Sequence, residues 1–231
     1  MRVLIINASP FQRRSNTSLL LNAFISGLNE CGSKVELFNL VNLTIHPCRG
    51  DLNCWFRARG KCIQRDDMDK LYEPFTNADA VIFSTPVYCD GVPGQLKVMM
   101  DRLVAGGDPH LEIRDDHSRH PVTLRQQSQK FALIASCGLW ELGNFDPMIM
   151  HLKAFCNNIG FTFCGSLLRP HAFAMKNRPI NDILKAAKCA GKSFGETGDI
   201  PEAYSVVVKR DIVSREEYIN EVNNKVTSLI H

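Results

Sequence analysis

Three turns and one cysteine loop carry the residue types that could do chemistry. The first turn reads Asn7-Ala8-Ser9-Pro10-Phe11-Gln12-Arg13-Arg14-Ser15-Asn16-Thr17, between an apolar run at 3–6 and a helical stretch. A helix start presents unpaired N–H groups and the positive end of its dipole, so it suits an anion. Ser9, Ser15, Asn16 and Thr17 add hydroxyl and amide donors, and Arg13 or Arg14 adds charge. The glycines of G-x-G-x-x-G, which let a pyrophosphate approach closely, are missing. A single terminal phosphate, as FMN carries, fits better. The second turn, Thr85-Pro86-Val87-Tyr88-Cys89, is stiffened by Pro86 and Pro93 and offers a backbone wall to a flat ring. The third is Cys137-Gly138-Leu139-Trp140, where Trp140 either stacks on that ring or packs. Backbone N–H groups of the second and third turns are candidates to stabilise negative charge on a bound ring.

The cysteine loop places Cys48, Cys54 and Cys62 around Asp51. The paired CxxC spacing of a structural zinc site is lost, so a zinc reading is weak. His110, His117 and His120, with Asp108, Asp115 and Asp116, share one polar loop and read as a solvated lid before a metal site. Cys31, Cys156, Cys164 and Cys189 read as packing thiols. No Ser/His/Asp ordering stands out for hydrolysis.

The elements that must position these turns are short apolar runs at 3–6, 35–38, 80–83, 131–135 and 161–168. Most are continuous rather than alternating, the pattern of parallel strands covered on both faces. Amphipathic stretches at 15–31, 66–75, 94–103, 145–159 and 214–229 lie between and after them. Gly32 suits the position after a helix end. Asp66 or Asp67 is a candidate cap for a helix burying Met68, Leu71, Tyr72 and Phe75. Ser214-Arg215-Glu216-Glu217 is a capping box for a last helix with Tyr218, Val222 and Leu229 inward. The alternation predicts a doubly wound α/β sheet of five parallel strands, with helices on both faces. It predicts one domain over 1–231, with a Cys-containing loop at 42–64, an inserted loop at 104–129 and a helical extension at 198–231. Within the insertion, 110–114 and 121–125 are candidates to pair as a hairpin.

Composition bounds the rest. The chain has 231 residues, is 45% hydrophobic and 22% charged, and carries a net charge of +3 with no basic run. That excludes disorder and gives no argument for nucleic acid. The N-terminal apolar run is too short for a secretion signal, and no segment reads as membrane-spanning. Nine cysteines, an odd count at irregular spacings, predict reduced thiols in the cytoplasm.

Taken together, S-P-x-x-R-x-S-N-T at 9–17, T-P-V-Y at 85–88 and L-K-x-x-x-D-R at 96–102 resemble the flavodoxin-like NAD(P)H-dependent FMN reductases. The cysteine loop followed by Asp66-Asp67-Met68 resembles the branch that includes iron–sulfur flavoproteins. The resemblance implies a flavodoxin-like fold with FMN at the three turns. Its phosphate would lie on Ser9, Arg13 or Arg14, Ser15, Asn16 and Thr17, and its ring against Pro86–Cys89 and the Gly138 turn. It implies NAD(P)H as co-substrate, a quinone, flavin, metal ion or other small-molecule acceptor, and a homodimer or homotetramer with flavin near the subunit interface. Iron–sulfur flavoproteins ligate a 4Fe–4S cluster with C-x2-C-x2-C and a fourth Cys. Here the second position is Asp51, so the set Cys48, Asp51, Cys54 and Cys62 lacks one thiolate, which favours a structural loop with free thiols. Two rivals remain at this level. One is an FMN electron carrier reduced by a ferredoxin-like protein; the other is a binding module that has lost flavin.

Overall fold

A computed structural model describes residues 1–121 and 129–230, and of Arg13 the backbone alone. Five strands form one sheet: β1 (Arg2–Asn7), β2 (Lys34–Asn39), β3 (Ala80–Pro86), β4 (Lys130–Ser136) and β5 (Thr162–Arg169). Their order is β2-β1-β3-β4-β5 and every pairing is parallel. This is the flavodoxin-like order expected, with its switch point between β1 and β3. Period-two packing explains the apolar runs. Val3 and Ile5 of β1 face one core with Ile82 and Ile134, while Leu4 and Ile6 face the other with Val81 and Phe83.

β2 departs from the expected burial. It is an edge strand, and Leu37 is 41% exposed. An edge has one neighbour and less helical cover, so its apolar residues stay partly in water.

Helices α1 (Asn16–Glu30) and α5 (Asn181–Thr197) cover the first face. Sequence reading passed over α5, although Ile183, Ala187, Ala190 and Phe194 recur at helical spacing and are buried. These two helices pack backbone to backbone. A Cβ on Gly27 would lie 1.9 Å from the Lys188 carbonyl oxygen, and one on Gly191 would lie 2.0 Å from that of Phe24. Gly32 takes the left-handed conformation after α1, at φ +73°, as expected of it.

The other face carries α2 (Asp69–Asn77), α3 (Gly94–Arg102) and α4 (Asp146–Ile159). α2 starts later than its expected cap. Asp66 does accept from the Met68 N–H at 3.0 Å, but its carboxylate is held by Arg102 at 2.7 Å in a fully buried ion pair.

The insertion forms a hairpin in a different register from the one expected. Strands Glu112–Arg114 and His117–Arg119 pair across Asp115 and Asp116, both at positive φ. Of the expected partner segment 121–125, residues 122–125 lie outside the described residues. The chain ends in α6 (Glu202–Lys209) and α7 (Arg215–Ile230). Ser214 Oγ caps α7 by accepting from the Glu217 N–H at 3.2 Å. Tyr218 is buried, but Val222 is half-buried and Leu229 is 76% exposed, against the expectation that all three point inward. Among the described residues, no helix is long and apolar enough to cross a membrane.

Candidate active site

The turn after β1 is locked by its own side chains. Ser15 caps α1, its Oγ accepting from the Ser18 N–H at 3.0 Å, and the Ser18 hydroxyl donates to the Gln12 carbonyl. The Ser9 N–H donates to Asn7 Oδ1 at 3.2 Å. Thr17 Oγ1 lies 2.6 Å from Ser136 Oγ, and this buried contact ties the start of α1 to the end of β4. Asn16 Oδ1 is buried with no partner. The unpaired atom is an amide oxygen, so it can accept from a donor group but gives nothing to an anion.

These residues floor a cavity of about 670 Å³ at the carboxyl ends of the strands. Ser9, Arg14, Ser15, Asn16 and Thr17 line one side, and Pro86, Val87 and Tyr88 another. Ser136 and Gly138 complete the floor. The wall at 86–88 is stiff, because Tyr88 and Gly91 exchange two backbone hydrogen bonds of 3.0 Å around Cys89 and Asp90 at positive φ. The Val87 N–H donates to the Ser136 carbonyl at 2.9 Å. The Val87 and Tyr88 N–H groups are thus used within the protein, which leaves these two out of the donors expected of this turn.

Several expected residues do not line the cavity. Thr85 is buried and its hydroxyl donates to the Pro86 carbonyl at 3.0 Å. Cys89 is exposed in its tight turn. Cys137 is buried, and that burial raises its thiol pKa while its Sγ accepts from the Leu139 N–H at 3.3 Å. Leu139 is exposed. Trp140 stacks on His171, with ring centroids 4.2 Å apart. It is the packing role of Trp140 that the structure shows. The Arg13 side chain lies outside the described residues.

Other lining residues escaped sequence reading. Phe173, Lys176 and Asn177 come from the turn after β5, and Lys225 from α7. The first three were findable, since the carboxyl end of a fifth strand belongs to the same sheet edge. Lys225 comes from a distant helix and gives no local signal. Arg14, Lys176 and Lys225 are cations, and among the described lining residues there is no carboxylate. The cavity therefore suits an anionic ligand.

Beneath the Gly138 turn lies a buried cluster. The His171 N–H donates to the Leu139 carbonyl at 2.7 Å, and the Ala172 N–H donates to that of Cys137 at 2.9 Å. The Tyr218 hydroxyl donates to the Gly138 carbonyl. Arg169 is fully buried and donates to the carbonyls of Val208 and Arg210 at 2.7 and 2.8 Å. Burial and the adjacent Arg169 cation push His171 down to about 4. This cluster fixes two walls of the cavity from behind.

The cysteine loop is built differently from a four-thiolate cradle. Asp51 Oδ1 accepts from the Asn53 N–H at 2.9 Å, forming a local turn. Cys48 is exposed, Cys62 is half-buried and Cys54 is buried. Burial and then the neighbouring Cys62 raise the Cys54 thiol. Among the described residues, no group of three His, Cys, Asp or Glu is placed to hold a metal ion. With a carboxylate in the second position, committed to a backbone N–H, this donor set does not fit a 4Fe–4S cluster.

Comparison with known proteins agrees with this architecture. The chain is 36% identical over 102 residues to an iron–sulfur flavoprotein of Methanocaldococcus jannaschii, covering 44% of this chain and 51% of that protein. It spans about half the length of the iron–sulfur flavoproteins it matches. It is 23% identical over 167 residues to an FMN-dependent NADH:quinone oxidoreductase of Alteromonas mediterranea, covering 69% of this chain and 82% of that protein. Among solved structures, an FMN-dependent NADH-azoreductase from Bacillus anthracis in complex with FMN superposes with a TM-score of 0.61. At 16% identity, over 84% of this chain and 97% of that one, this likeness concerns the fold. The family described as NADPH-dependent FMN reductase matches residues 1–166, and the chain belongs to that family.

Proposed function

We propose that the chain is an FMN-dependent oxidoreductase that takes hydride from NAD(P)H and passes electrons to a small-molecule acceptor, a quinone, free flavin or metal ion. The observation that carries this reading is the cavity at the carboxyl edge. It joins the start of α1 to three cations among the described lining residues, Arg14, Lys176 and Lys225, and to a stiff wall at 86–88. These residues fit FMN, which when bound supplies the hydride-accepting and electron-passing chemistry. Ser9, Ser15, Asn16 and Thr17, with Arg14, would hold its phosphate by N–H, hydroxyl and amide donors and by charge. Pro86–Tyr88 and Gly138 would orient its ring. The Phe173 ring packs close over Gly138, so a Cβ there, 2.8 Å from it, would push this exposed ring aside.

Exposed Phe11 and Phe173, both lining the cavity, support a subunit interface at its mouth and hence a homo-oligomer. All nine cysteines are free thiols, which supports a reducing compartment such as the cytoplasm. A second reading, an FMN electron carrier reduced by a ferredoxin-like protein, draws on the likeness to iron–sulfur flavoproteins. The two separate in one experiment. FMN-loaded protein is mixed anaerobically with NADH or NADPH, and flavin absorbance is followed. Bleaching by either nicotinamide, followed by turnover with a quinone, supports the reductase. Bound FMN that neither nicotinamide reduces overturns it in favour of the carrier.

A further inference from the structure

A second cavity, of about 510 Å³, lies on the α2–α3–α4 face. Its walls include Tyr72 and Phe75 near the end of α2, Met100 and Leu103 at the end of α3, and Phe155 and Ile159 at the end of α4. In a parallel sheet the helices run back from the strands' carboxyl ends to their amino ends. The cavity is therefore at the sheet edge opposite the first, roughly 20 Å away for strands of this length. Trp55 of the cysteine loop and His120 of the insertion close over it, with ring centroids 4.8 Å apart.

Several of the polar atoms around this cavity are bonded within the protein. Trp55 Nε1 donates to the Val104 carbonyl at 2.8 Å, and the Tyr72 hydroxyl donates to that of Arg102 at 3.1 Å. The Thr76 hydroxyl donates to the Tyr72 carbonyl at 2.9 Å, and His120 Nδ1 donates to that of His110 at 2.9 Å. Asp101 is paired with Lys97 at 2.5 Å, and Asn158 Oδ1 accepts from Arg119. Most of what faces the space is ring and aliphatic carbon. A charged or strongly polar guest would lose its water there without gaining partners, whereas a flat aromatic guest gains both burial and ring contacts.

We propose that this cavity binds an uncharged, planar aromatic molecule of two or three rings, and that occupancy holds the cysteine loop against the insertion. The inference does not depend on the flavin reading, because the two cavities share no lining residue. The test uses the full chain, with and without excess FMN, and the neutral fluorophore N-phenyl-1-naphthylamine. Binding is read by fluorescence gain, and the alkylation rate of Cys48, which lines this cavity, by mass spectrometry with iodoacetamide. The expected result is saturable binding, weakened about tenfold or more by Val104→Trp, which fills the cavity, and unchanged by Tyr88→Ala at the other edge. Probe should also slow Cys48 alkylation at least threefold in the wild-type chain, which needs no variant to fold. Absence of saturable binding, displacement of probe by added FMN, or unaltered Cys48 alkylation at saturating probe would each overturn the proposal.

Discussion

Thr17 and Ser136 share one buried hydroxyl contact between α1 and β4, so each depends on the other for a partner. Thr17→Val keeps the shape and leaves the Ser136 hydroxyl unpaired, a loss of about 1–3 kcal/mol for a buried polar group. If the first cavity holds FMN phosphate, the same change removes a donor from it. FMN affinity should fall about tenfold or more, measured by quenching of flavin fluorescence on titration, while Thr17→Ser restores it. His171 gives a second prediction. Its pKa is depressed from 6.5 to about 4, chiefly by burial and then by Arg169. The unfolded chain therefore binds a proton between those values that the folded chain refuses, so stability falls as pH drops through that window. Melting temperature should decline between pH 6.5 and 4.5, and His171→Phe, which keeps the stack on Trp140, should flatten that decline. An equal slope in the variant would assign the acid sensitivity elsewhere. Asp66 acts lower on the scale. Its burial raises its pKa, but bonds from Arg102 and from the His46 and Met68 N–H groups outweigh this and hold it below the ordinary value. Its contribution is present above about pH 4 and is lost only as pH falls further.

At the scale of elements, the contact of α1 with α5 is set by glycine. Gly191→Ala would drive a methyl group into the Phe24 carbonyl, which cannot yield without moving the helix. Overpacking of this kind costs about 1–3 kcal/mol, which should lower the melting temperature by roughly 2–12 °C in a chain of this size. FMN affinity should change far less, because the crossing lies away from the cavity lining. This helix also marks where sequence reading stopped short. Continuous runs such as Ala80–Phe83 revealed the buried strands, because parallel strands covered on both faces leave an unbroken apolar signature. The Ser15–Thr17 turn was legible for a similar reason, since its caps are local. α5 was missed because small residues, Ala186, Ala187, Ala190 and Gly191, make up most of its buried stripe between Ile183 and Phe194, and close approach rather than bulk is what they provide. Lys225 was missed because its place at the cavity depends on how a distant helix returns to the carboxyl edge, whereas Lys176 follows the fifth strand and was open to the same reasoning as the other turns. The Asp66–Arg102 pair was likewise hidden, since it joins residues 36 apart and a capping role for Asp66 was the nearer reading.

At the scale of the whole molecule, the carboxyl edge of the sheet is completed by chain that arrives last. Two sheet-facing cores are packed by α1 to α5, with Val208 of α6 added to the first. α7 contributes Tyr218 as its buried residue, bonded to the Gly138 carbonyl, and Lys225 to the cavity lining. Removing residues 215–231 should therefore leave the sheet and its two cores folded. The Gly138 turn would lose a hydrogen bond from behind, and the cavity one of the three cations among its described lining residues. A charge-assisted hydrogen bond is worth about 1.5–3 kcal/mol and a supporting neutral one about 1, so FMN affinity should drop by about tenfold to a thousandfold. The far-ultraviolet dichroism should change only by the signal of one helix. Lys225→Ala separates the two contributions, because it removes the cation and keeps Tyr218 in place. If FMN binds equally well to the truncated chain, α7 is a packing element with no part in the site. If Lys225→Ala alone reproduces most of the loss, the last helix acts through charge, and its register over the cavity is what the Tyr218 bond secures.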